Sequence, residues 1–303
     1  MSPPFGAREV VAMSRTTDAG EVTATRLCAL FGISRQAYYA ARKSPSEPAR
    51  RATPPARSAV PGHELLRRIR EVLARHPSWG HRKVWATLRR GGVLVGRRRV
   101  AETMKAHGEM LEAHAPQPRE RRRGHVVVAA PNRRFATDLT TVMTKRSGLV
   151  AVVLTVDCGC RSVLDVTATK SQESGPVLAS VERALVDAFG APEKVPVGFE
   201  LRSDHGSQYT GKDAEKLSKT WGYEHTFAPV GRPTGNAVAE RTIQTMKVEC
   251  VWLEEFEDVA AVQVALDRWR SEFNDERPHQ SLHWRTPSEV RAAHLGTASR
   301  MAA

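Results

Sequence analysis

The sequence predicts a mixed α/β core, preceded by all-α basic helical units and followed by a helical C-terminal segment. A continuously apolar run, Leu149 to Val156, has the texture of a strand covered on both faces. Segments rich in strand formers flank it, with a helical pattern and a further strand after them. Ahead of them the apolar residues follow helical spacing, and the charge is lopsided. Residues 1–135 hold 27 Lys and Arg against 10 Asp and Glu, a net of +17, whereas residues 136–303 hold 19 against 23, a net of −4.

A chain of 303 residues has room for two or three domains. Its net charge of +13, concentrated at the N-terminal side, points to a polyanionic partner, since each neutralised phosphate releases counterions. A merely solvated, Arg-rich surface is the plainer alternative. No run approaches the ~18 apolar residues of a membrane span, and Met1-Ser-Pro-Pro-Phe5 lacks a signal-peptide pattern. Cys28, Cys158, Cys160 and Cys250 form no C-x-x-C pair and have no paired His set for zinc. Cys158-Gly-Cys160 falls at an expected strand end with no chemistry assigned. The expected location is reducing cytoplasm, on the nucleoid.

Residues 1–20 carry no periodic signal and are expected to be a disordered leader. In residues 22–43, Leu27, Leu30 and Phe31 have helical spacing up to Gly32, and Ser34 caps a second helix with Arg35, Gln36 and Tyr39 exposed. That is the order of a helix-turn-helix, or of a plain helical hairpin. Residues 44–62 read as a linker. Residues 63–115 form a second basic helical unit. Leu65, Leu66, Ile69 and Leu73 make one stripe, Trp79-Gly80 a turn, Val84, Trp85 and Leu88 a second helix, and Arg97 opens a third. Arg82, Lys83, Arg97, Arg98 and Arg99 give this unit the charge a DNA-facing surface needs. A second linker spans 116–131. The catalytic core is expected at 132–250, with strands at Arg134–Val142, Leu149–Val156, Arg161–Ala168 and Val195–Ser203. A helix with Val177, Leu178, Val181, Leu185 and Phe189 inward precedes the last of these. This order is that of a ribonuclease-H-like core. Residues 251–303 are expected to be its helical C-terminal part, where Thr286-Pro287-Ser288-Glu289 has the ingredients of a capping box.

Asp204 and Glu240 have 35 residues between them, but five acidic pairs share that interval, so spacing selects nothing. Context selects Asp138, Asp204 and Glu240. Asp138 lies in the first strand of the core, Asp204 ends the fourth, and Glu240 lies one turn into a helix begun after Gly235-Asn236. If the first and fourth strands are neighbours, the two Asp side chains converge and the helix supplies Glu240 from the side. Three convergent carboxylates repel unless a cation intervenes, and oxygen-only ligands suit Mg²⁺ or Mn²⁺. Two such ions ~3.5–4 Å apart activate the attacking oxygen of a phosphodiester displacement and stabilise the leaving one. Lys247, two helical turns beyond Glu240, is placed to hold a phosphate near the metals.

Phe135-Ala-Thr-Asp138-Leu-Thr, Ser203-Asp-His-Gly-Ser-Gln-Tyr209 and Gly235-Asn-Ala-Val-Ala-Glu240-Arg resemble the three catalytic boxes of insertion-sequence DDE transposases. They most resemble the second-frame, OrfB-type product of the IS-three family, whose core is similar to retroviral integrase. Leu27 to Tyr39, Trp79 to Lys83 and Asn274 to Pro287 resemble further family segments, so the likeness covers roughly residues 22–295. The resemblance implies that Asp138, Asp204 and Glu240 ligate the metal, with Lys247, Arg241 and Gln208 at the DNA. It also implies cleavage of double-stranded DNA at element ends, followed by attack of the freed 3′-hydroxyl on another strand. Strand transfer needs two ends held together, hence at least a dimer on DNA. A first-frame product, which in this family supplies an N-terminal helix-turn-helix and leucine zipper, is a candidate partner; without it, weak DNA binding and poor transposition are expected. The chain departs from many relatives at Gly235, His205, Thr242 and Ile243. The alternatives are a DNA-binding regulator or inactive relic that keeps an idle core, and a nuclease of RNA–DNA hybrids, which shares the fold and metal chemistry. The two N-terminal basic units favour DNA over a hybrid substrate.

Overall fold

The computed structural model describes residues 24–42, 60–112, 128–228 and 236–302, with Glu9 and Val11. Most of the expected leader and of both linkers, including Arg119 to Arg123, lies outside the described residues, as does Gly235. Two units divide the chain, residues 1–59 and 60–303.

In the first unit, helices α1 (Ala24–Leu30) and α2 (Arg35–Arg42) enclose Cys28 and Tyr38. Gly32, with φ of +63°, makes the turn between them. Ser34 caps α2 as expected, its hydroxyl accepting from the Ala37 amide at 3.1 Å. Arg35 is exposed and Tyr39 half-exposed on the outer side of α2.

The second unit opens with three helices, α3 (Gly62–Arg75), α4 (His81–Arg90) and α5 (Arg97–Ala106). Leu65, Ile69, Val84, Leu88, Val100 and Met104 fill their common core. The apolar stripe at i, i+4 and i+7 on α3 is what predicts its buried face.

A five-stranded sheet follows, in the order β3-β2-β1-β4-β5. Strands β1 (Arg134–Thr144), β2 (Gly148–Asp157) and β3 (Val163–Thr169) form the expected antiparallel meander. Every residue of β2 from Val150 onward is buried, as its unbroken apolar run requires. Helix α6 (Ser174–Phe189) then crosses over, with its five expected inward residues all buried. Strand β4 occupies only Glu200–Ser203 rather than Val195–Ser203. Pro196 has no N–H for a ladder, and Gly198 bends away with φ of +74°. After α7 (Ser207–Thr210) and α8 (Lys212–Trp221) comes β5 (Glu224–Phe227), a four-residue edge strand that is not among the four expected from the sequence. Helices α9 (Ala237–Glu249), α10 (Val259–Ser271) and α11 (Pro287–Ala302) complete the unit. At α11 the capping box forms reciprocally: the Thr286 amide donates to Glu289 Oε2 at 2.9 Å, and the Glu289 amide to Thr286 Oγ1 at 3.3 Å.

Two hydrophobic cores sandwich the sheet. One packs β1 and β2 against α9 and α10 through Ala136, Leu154, Ile243, Met246, Leu266 and Trp269. The other holds Phe135, Phe199 and Leu201 against α6 and α8. The fold is therefore a ribonuclease-H-like α/β/α core carrying a helical N-terminal module. Cys158-Gly-Cys160 is the tight β2–β3 turn. A Cβ on Gly159 would strike the Ala130 backbone, and burial pushes both thiols up to about 12, away from thiolate chemistry.

Candidate active site

Strands β1 and β4 run parallel at a constant offset, pairing Arg134 with Glu200, Phe135 with Leu201 and Ala136 with Arg202. Continued two residues, the same offset sets Asp138 across from Asp204. Side chains alternate along a strand, so Asp138 lies on the face of Ala136, on which α9 packs, while Asp204 stands one residue past the end of β4. Ala239, Ile243 and Met246 bury one side of α9, while Glu240, next to Ala239, lies on its exposed side.

Asn236, expected as the helix cap, does something else. Its side chain makes no capping bond; its Nδ2 donates to the Thr137 carbonyl at 2.9 Å. The start of the Glu240 helix is thus tied to the residue preceding Asp138. A buried hydroxyl chain holds the second box to the same point of β1. The Tyr209 and Thr137 hydroxyls lie 3.2 Å apart, and the Thr155 hydroxyl donates to Thr137 Oγ1 at 3.3 Å. Neither tether is visible in sequence spacing.

Each Asp keeps one oxygen engaged locally: Asp138 Oδ1 accepts from the Leu139 amide at 2.8 Å, and Asp204 Oδ1 from the Gly206 amide at 3.0 Å. The Asp138 carboxyl is pushed up to about 6, chiefly by burial and further by the negative charges of Asp204 and Glu240; the Leu139 amide and the Lys247 ammonium pull the other way. Asp204, Glu240 and Lys247 are thus near enough for their charges to bear on Asp138. An acid whose pKa is raised on folding binds more protons when folded than when unfolded. Stability of the metal-free protein should therefore fall as pH rises through about 4 to 6 on account of this group. Thermal melts in EDTA across that window, with Asp138→Asn for comparison, check it: the variant should lose part of the pH dependence.

An oxygen-only donor set suits a hard divalent cation. As they stand, no three His, Cys, Asp or Glu side chains among the described residues are gathered closely enough to share one ion. Asp204 and Glu240 are both exposed, whereas Asp138 is partly buried.

The other sequence candidates divide. Arg82 and Arg97, at the starts of α4 and α5, are exposed, and both repel the proton of His81, whose pKa is lowered first by burial and then by them. Arg98 pairs with Glu102 at 2.7 Å on the surface, and Arg99 donates to the Val60 carbonyl at 2.7 Å. Arg241 donates to Gln244 at 2.8 Å, and Gln208 is half-buried in α7. Lys83 departs from expectation as a DNA-facing cation. It is mostly buried over Trp79, with its ammonium 2.5 Å from Glu249 Oε1. Glu249 ends α9 and also accepts from Arg277 Nε at 2.8 Å and Nη2 at 2.9 Å. Burial raises the Glu249 carboxyl, but Arg277 and Lys83 more than offset this and hold it below the ordinary carboxylate range. Together with Arg90–Glu289 and the edge-on pair Trp85–Trp284, this knot fastens α4 to the core. The Asn274–Pro287 segment is thereby largely structural: Asn274 pairs with both backbone groups of Val163, and Arg277 belongs to the knot.

A sheet in this order, with acids on β1, at the end of β4 and on the helix packed over them, defines the integrase-like class of core. An integrase core domain family matches residues 128–233, a second integrase core domain family matches 221–287, and an HTH-like domain matches 62–110. The HTH-like match falls on the α3–α5 module, not on the α1–α2 hairpin. The chain is 25% identical over 233 residues to the transposase InsD of insertion element IS2 from Escherichia coli, covering 75% of this chain and 77% of that one. The chain thus carries an integrase-type core and an HTH-like module and is similar to the InsD transposases. Solved structures similar to it include a simian T-cell lymphotropic virus intasome in complex with a PP2A regulatory subunit (TM-score 0.46, 18% identity, 68% of this chain and 74% of that one). Another is the catalytic domain of the Mos1 mariner transposase (TM-score 0.40, 14% identity, 46% of this chain and 70% of that one). Among the described residues no helix is long and apolar enough to cross a membrane.

Proposed function

We propose that this protein cuts DNA at the ends of an insertion element and joins the freed 3′-hydroxyl to target DNA, with Asp138, Asp204 and Glu240 holding divalent metal. The observation that supports the reading is the parallel pairing of β1 with β4, whose register, continued two residues beyond Ala136 and Arg202, would bring Asp138 opposite Asp204. Bound Mg²⁺ or Mn²⁺ would supply Lewis-acid activation of a phosphodiester. This chain's own contribution is position. The Asn236 and Tyr209 tethers fix where two of the carboxylates stand, and Lys247 brings positive charge for a phosphate. Exposed Arg82 and Arg97 supply the phosphate contacts that set register on the duplex, and Arg35 and Tyr39 a second DNA-facing surface. Self-association on DNA follows from the need to hold two ends.

The deciding assay incubates the full chain with labelled element-end DNA and Mg²⁺ or Mn²⁺. Nicked and joined products are expected, and Asp204→Asn should lose both while its gel-shift binding stays nearly unchanged. A second reading, a DNA-binding regulator, is favoured by the carboxylates not being gathered on one point. Binding without cleavage under either metal would decide for it. Arg97→Ala should weaken binding across all sequences and flatten its salt dependence by about one unit of slope for each phosphate no longer neutralised. An unchanged slope would remove this residue from the interface.

A further inference from the structure

The aromatic residues beside Asp204 form a ladder that ends in the open. Tyr223, buried at the inner end, meets His225 edge-on at 6.2 Å. His225 meets Phe227 at 4.4 Å, and Phe227 stacks on His205 at 4.9 Å with 19° between the planes. The inner rungs are fixed: His225 Nε2 lies 3.0 Å from the Ser203 hydroxyl, which itself donates to the Asp204 carbonyl at 2.8 Å. The turn closed by the Gly206 amide on Asp204 Oδ1 sends the His205 side chain back over β5. His205 nonetheless remains exposed.

An exposed imidazole gains little from burial, and its partner Phe227 is itself only half-buried. The arrangement instead holds one flat ring in a fixed orientation, one residue from the candidate metal ligand. We propose that His205, backed by Phe227, is a stacking platform for an unstacked nucleobase next to the reacting phosphodiester. A base within a duplex has both faces covered, so the ligand class is a nucleotide freed from the stack at or beside the cut. Every base offers a π face, so the platform tolerates sequence and grips the frayed end itself. The proposal rests on the DNA-cutting reading above.

The test uses the full chain in EDTA, where binding is read without cleavage. The probes are two dye-labelled short duplexes with single-stranded tails, one natural and one in which the tail nucleotide beside the junction is abasic. Wild-type protein should bind the abasic tail roughly ten-fold more weakly by anisotropy. His205→Leu, an exposed change that leaves the core alone, should bind both tails equally, and His205→Trp should restore the difference. Equal affinities in wild type, or a penalty that persists in His205→Leu, would overturn the platform. A protein that cuts element ends yet ignores the abasic site loses the platform and keeps its proposed function. One that discriminates the abasic tail but never cuts with Mg²⁺ or Mn²⁺ does the reverse.

Discussion

Asp138→Asn is expected to reduce cleavage and joining by roughly 10²–10³-fold or more, the scale of losing a group that acts on transition-state charge, without loss of metal-free stability. Both halves follow from one fact. The Asp138 carboxyl is raised to about 6 because burial and the charges of Asp204 and Glu240 disfavour its ionised form. An amide of the same shape removes that repulsion and can still accept from the Leu139 amide. It also withdraws a charged ligand from any cation. The variant should therefore melt in EDTA at or above the wild-type temperature at pH 8, while the stabilisation that Mg²⁺ or Mn²⁺ confers on wild type shrinks or disappears. Should metal stabilise both proteins equally, Asp138 is not a ligand. Should the variant melt well below wild type, the carboxylate holds the fold together and repulsion does not govern it.

Glu249→Ala should have the largest effect on stability, about 3–5 kcal/mol, because it leaves buried Lys83 and Arg277 with no counter-charge. For a unit of this size that corresponds to a fall in Tm on the order of 10 °C. The mechanism predicts a pattern as well as a size. Removing one cation, as in Lys83→Met, should cost less than removing the shared anion, because Arg277 still faces Glu249 through two hydrogen bonds. Combining Lys83→Met with Glu249→Ala should cost less than the sum of the two single changes, since the double variant leaves fewer unpaired charges buried. Strict additivity would show that the pair does not interact in solution. Because Glu249 ends the helix that carries Glu240, the same variants should lose cleavage before they lose folding, as temperature is raised.

Much of the fold was legible in local pattern. The unbroken apolar run of β2, the spaced apolar residues of α6, the Ser34 cap and the Thr286–Glu289 box are all signals within a few residues of chain, and each forms as expected. Strand β5 was missed because four residues between helices carry too little periodicity, and β4 was overextended because Pro196 and Gly198 outweigh the flanking apolar residues. The candidate site was legible only as three short boxes, since the interval between two of the acids recurs by chance.

From sequence come most of the helices and strands and the place of the positive charge, because these depend on short-range periodicity and on composition, and the three candidate acids, through the short boxes around them. Tertiary structure alone decided that β1, which carries Asp138, lies beside β4, which ends just before Asp204, since that depends on the order of the sheet and the register of a parallel pair. It likewise turned Asn236 from a cap into a tether and Lys83 from a surface cation into a buried ion-pair partner. A side chain's partner is set by whatever the fold brings across from it, and a polar group removed from water must find one. No spacing along the chain encodes that.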